Sequence, residues 1–112
     1  MNISDKLDNA LQSFPAPFYR DFYVGEGEDY GYYDQMTDTP DGFGDDFPEI
    51  EIQSAYVHFF TKTGQKAKHK TIKNLLWRAG LRIKSSYEQH ELDTGYTHFT
   101  YEVETFEVIK EE

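Results

Sequence analysis

A chain of 112 residues is long enough to bury one core and too short for two, so a single domain spanning 1–112 is expected. The absence of cysteine excludes a disulfide framework and thiolate metal sites, and a formal net charge of −10 argues against a nucleic-acid binder as a whole, which would need a cationic footprint. No apolar run approaches the roughly 20 residues of a membrane span, and the opening MNISDKLDNALQSF lacks the basic-then-apolar order of a signal peptide, so a soluble intracellular product without membrane contact is expected.

In chain order, Ile3, Leu7, Ala10, Leu11 and Phe14 recur at helical spacing and Pro15 and Pro17 come next, which predicts a helix over 3–13. Phe18 to Val24, FYRDFYV, is β-branched and aromatic and reads as a strand. Tyr30 to Gln35 reads as a second strand, joined to the first in a hairpin across GEGED. Met36 to Pro48 combines Pro, Gly and Asp without periodicity and is expected to be a mobile acidic loop, ordered only against a neighbour. Glu49 to Thr61 is the longest strand candidate. Ile50, Ile52, Tyr56 and Phe60 share one face and Ala55, Val57 and Phe59 the other, the pattern of a central strand covered on both sides.

Lys66 to Ala79 is the one strongly amphipathic helix, with Ile72, Leu75, Leu76 and Ala79 on a single stripe and Gly80 where a positive φ would stop it. Strands are expected from Leu81 to Tyr87 and from about Tyr96 to Ile109, with HELDTGY turning between them. The succession α-β-β-β-α-β-β predicts an α+β fold, a mostly antiparallel five-stranded sheet with two helices.

Charge divides along the chain. From Ile52 to Tyr87 there is no acidic residue, yet Lys62, Lys66, Lys68, Lys70, Lys73, Arg78, Arg82 and Lys84 lie there, whereas Asp21 to Thr61 contains no Lys or Arg. Intermingled charge would serve solubility equally well; separated charge supplies orientation between partners. Trp77 projects between Lys66, Lys70 and Lys73. It is either an exposed interface anchor or is covered by a strand or by the first helix.

Chemistry-bearing clusters are sparse. Asp38, Asp41, Asp45 and Asp46 do not match the EF-hand spacing, and solvated loop positions are the expectation for them. His58, His69, His90 and His98 form no HExxH or i, i+4 set and are expected to be ordinary polar positions. No nucleophile motif or Gly-rich phosphate loop is present, so no catalytic residue, metal or cofactor is expected.

The run VHFFTKTGQKAKHKTIKNLLWRAGLRIKSSYEQHELDTGYTHFTYEVETFEV, with FPAPFYRDFYV and YGYYDQ upstream, resembles the small tail-completion proteins of long-tailed bacteriophages and prophages, the tail terminator or head-to-tail joining proteins. The likeness covers most of the chain. It departs from the family at Met36 to Pro48 and in lacking a proline before YGYYDQ. The resemblance implies a structural assembly protein without cofactor or turnover. Such a protein would form a ring, a hexamer in this family, that caps the tail tube and meets the head connector, with no nucleic-acid contact required. It would reside at the head-tail junction of the virion, and in the host bacterial cytoplasm during assembly. Head-to-tail contact would set the basic helix region Lys62 to Lys84 of one copy, with Lys66, Lys70, Lys73, Trp77 and Arg78 singled out, against the acidic region Asp21 to Glu51 of the next, including Asp38, Asp41, Asp45 and Asp46. The alternative from another class is an acidic inhibitor that mimics nucleic acid, with these carboxylates in place of phosphates.

Overall fold

The computed structural model describes residues 2–35, 39–41, 49–63 and 66–109. Helix α1 (Ile3–Leu11) starts at Asn2, whose side chain accepts a hydrogen bond from the Asp5 N–H at 2.9 Å. It turns Ile3, Leu7, Ala10 and Leu11 inward. Strands β1 (Phe18–Arg20), β2 (Asp29–Gln35), β3 (Thr39–Asp41) and β4 (Glu49–Thr61) come next, then α2 (Lys66–Arg78), β5 (Arg82–His90) and β6 (Thr97–Ile109). The sheet runs β1-β2-β4-β6-β5, with β3 pairing the early part of β4. The expected α+β fold with two helices and a mostly antiparallel sheet holds, the short β3 being a sixth strand beside the expected five, and every pairing is antiparallel except that of β1 with β2.

That exception corrects the hairpin expected across GEGED. FYRDFYV is not one strand. It stops at Arg20, because Asp21 adopts a left-handed φ of 63° and its N–H donates to the Tyr33 carbonyl at 2.8 Å. Arg20 is held in place by Asp5 and Asp8 of α1. Residues 21–28 therefore double back, and β2 starts at the same end as β1, pairing Phe18 with Gly31 and Arg20 with Tyr33 in parallel. Gly31 is required here: a Cβ would lie 2.1 Å from the Phe18 ring and 2.6 Å from the His58 carbonyl oxygen.

The expected loop over 36–48 is corrected at Thr39–Asp41, where β3 pairs antiparallel with β4; the rest of that stretch lies outside the described residues. Pro40 is tolerated there because β3 flanks β4 on one side only and needs no second set of N–H donors.

Both helices cover one face of the sheet. Ile72 and Leu76 of α2 are fully buried with Leu7 of α1, Val57 and Phe59 of β4, and Phe99, Tyr101 and Val103 of β6. The C-terminus of α2 closes as a Schellman motif: Gly80, at φ 82°, donates to the Trp77 carbonyl at 2.9 Å, and Leu81 donates to the Leu76 carbonyl at 3.1 Å. On the opposite face Tyr30, Tyr32, Phe60 and Tyr96 form a second, smaller cluster, with Tyr30 stacked on Phe60 at 4.7 Å. The later half of β4 is thus covered on both sides, as its sequence implied.

Candidate intersubunit surfaces

Two surfaces stand out, and the sheet order puts them at opposite edges. The first lies between α2 and β5. Because α2 buries only its Ile72–Leu76 stripe, Lys70, Lys73, Asn74 and Trp77 point away from the core. Gly80 then turns the chain so that β5 runs back beside them. The result is an open groove of about 860 Å³, lined on the helix side by Lys70, Lys73 and Trp77 and on the strand side by Arg82, Ile83 and Lys84. Trp77 is 78% exposed, so neither a strand nor α1 covers it. The strand-side cations are partly engaged: Arg82 lies 3.5 Å from Glu104, and Lys84 lies 3.5 Å from Glu102. Among the described residues neither Lys70 nor Lys73 has an ion-pair partner, so the helix side of the groove is the more strongly positive.

The second surface is the segment that leaves β1. Asp21, Glu26 and Glu28 are exposed, and between them Phe22 and Val24 are each 71% exposed, an unusual posture for two apolar side chains. They are supported from beneath. Tyr23 stacks on Tyr19 at 3.9 Å and meets Tyr30 edge-on, and Phe22 meets Tyr32 edge-on at 5.4 Å. Gly25 lets this happen: a Cβ there would stand 2.5 Å from the Tyr30 ring.

Of the residues singled out from sequence, Lys70, Lys73 and Trp77 meet in the groove. Arg78 is exposed but does not line it. The side chains of Lys66 and Asp41 fall outside the described residues, as do Asp38, Asp45 and Asp46 altogether. Lys68 is turned to its own chain, paired with Asp29 of β2. Sequence reasoning had Arg82 and Lys84 inside the basic region Lys62 to Lys84 but did not single them out as contact residues. It missed Phe22 and Val24, which the strand assignment concealed.

The histidines are structural contacts. His69 hydrogen-bonds the Tyr101 hydroxyl at 2.6 Å and stacks on Phe99. Burial, and then Lys73, lowers its pKa from the ordinary imidazole value. His58 and His98 form a pair on the opposite sheet face. His90 belongs to β5 and contacts Thr97, where the sequence had suggested a turn position. Among the described residues no group of three or more His, Asp or Glu is placed to hold a metal ion, and no helix is long and apolar enough to cross a membrane.

These features define an α+β domain with an acidic, aromatic edge and a basic, indole-bearing edge. No protein family matches the chain, and no curated protein does. Twenty-three chains of solved structures match it. One belongs to "Virion of native gene transfer agent (GTA) particle": it is 10% identical, covers 88% of this chain and 81% of its own, and superposes with a TM-score of 0.49. A likeness at that level carries no functional argument.

Proposed function

We propose that this protein is a structural subunit of a phage-like particle that associates head to tail into a ring, capping the tail tube and joining it to the head connector. One observation supports the reading above the others. The acidic segment leaves the sheet at β1 and the basic groove borders β5, the two ends of the strand order. Surfaces of opposite sign at opposite edges cannot satisfy each other within one copy, and a repeated heterologous contact closes into a ring when the rotation per subunit permits. The sequence resemblance to tail terminators supplies the particular setting. On this reading the subunit needs no cofactor and no turnover, its partners are further copies, the tube protein and the connector protein, and its location is the head-tail junction.

A nucleic-acid mimic fits less well, because four cations gathered beside an exposed Trp77 oppose such mimicry. Sedimentation velocity over a concentration series, beside a tail-length assay in induced cells, separates the two. A ring and correctly terminated tails are expected. A protein that stays monomeric, with tails of normal length in its absence, overturns the proposal.

A further inference from the structure

We infer that the groove between α2 and β5 receives the Phe22–Val24 knob of a neighbouring copy, with Phe22 and Val24 against the Trp77 indole and Asp21 and Glu26 beside Lys70 and Lys73. This rests on the ring reading and names the contact that builds it.

The knob is preformed. Asp21 is held at a left-handed φ by its hydrogen bond to Tyr33, and the Tyr19–Tyr23 stack and the close fit of Gly25 to Tyr30 fix residues 22–25. Little ordering remains to oppose docking. The groove has the matching chemistry, an apolar floor at Leu81 and Ile83, a largely exposed indole on its rim and, in Lys70 and Lys73, two lysines without ion-pair partners among the described residues. Trp is among the residues most enriched in binding hot spots, and docking would bury this one.

The occupant has to come from another copy. Knob and groove are separated by the four strand spacings from β1 to β5, roughly 19 Å at about 4.8 Å each. The contact is also one of side chains. Backbone pairing is discouraged at both edges, since β1 is only three residues long and β5 carries a register shift between Ile83 and Ser85 at a lysine.

The chain has no cysteine and a single tryptophan, which makes a direct test available. Val24→Cys and Ser86→Cys are prepared as separate single variants, mixed and mildly oxidised, so that any mixed disulfide joins two copies. The mixed species is expected to dominate over either homodimer. Trp77 emission is expected to shift to the blue as wild type associates. Phe22→Ser, at an exposed position, is expected to weaken association about tenfold without lowering Tm. Rings that sediment normally but give no mixed disulfide overturn this docking and leave the ring reading standing. Absence of any assembly overturns both. If a short oligothymidylate quenches Trp77 while self-mixing does not alter it, the groove serves nucleic acid and the inference falls.

Discussion

Nδ1 of His58 lies 2.8 Å from Nε2 of His98, so that one imidazole donates to the other on the aromatic face of the sheet. Phe60 stacks on His98 and Tyr32 on His58. Burial, and then His98, lowers the His58 pKa from 6.5 to about 4, and burial likewise lowers that of His98 against the opposing pull of Glu91 at 3.8 Å. The unfolded chain binds protons at these positions below about 6.5 while the folded chain resists them. Their contribution is therefore complete above that pH and is lost as pH falls toward about 4. Urea unfolding at pH 7.5 and 5.0 should show a larger loss for wild type than for a His58→Asn/His98→Gln variant. Equal losses would dismiss the pair as the cause.

Leu76 is fully buried and its carbonyl closes the Schellman motif. Leu76→Ala should destabilise the domain by about 2 to 5 kcal/mol, a large share of what holds a domain of this size together. A melting curve unchanged from wild type would contradict the packing of α2 on the sheet.

Gly31→Ala sets a Cβ against both the Phe18 ring and the backbone of β4. Overpacking of this kind typically costs about 1 to 3 kcal/mol. The effect should be local, and amide exchange at the β1–β2 pairing should rise more than that at β4–β6. Uniform acceleration across the sheet would show that β1 is not a separable edge.

Reversing the helix side of the groove with Lys70→Glu/Lys73→Glu should lower the association rate and weaken the ring by about tenfold or more at low salt. Arg78→Glu, outside the groove, should do less. Because such charges are screened over about 8 to 10 Å at ordinary ionic strength, the gap between the two variants should narrow at high salt. Sedimentation at both ionic strengths reads this, and equal effects of the two variants would remove the groove from the contact.

The parts of this fold that could be read in the sequence are those fixed by local rules. The α2 stripe and its glycine stop, and the two long alternating strands, arise from periodicity and backbone preference at Gly80. The parallel β1 could not be read that way. FYRDFYV satisfies a strand pattern throughout, and the break at Asp21 is imposed by Arg20 reaching α1 and by the Tyr33 carbonyl, both distant contacts. The same break conceals the knob. Trp77 was legible only as two alternatives, because its exposure depends on where β5 and α1 run. His58 and His98, forty residues apart, meet only through strand register.

The register shift at Lys84 bears on what kind of polymer this chain can make. A subunit with complementary ends is one misaligned rotation away from an endless fibre, and two bare strand edges would zip such a fibre irreversibly through main-chain bonds. With an out-of-register lysine on one edge and a three-residue strand on the other, growth by the proposed head-to-tail contact would rely on side chains, without main-chain bonds to lock it. On the proposed ring, misregistered oligomers would then dissolve and try again, so that the closed form would be reached by annealing and not by chance.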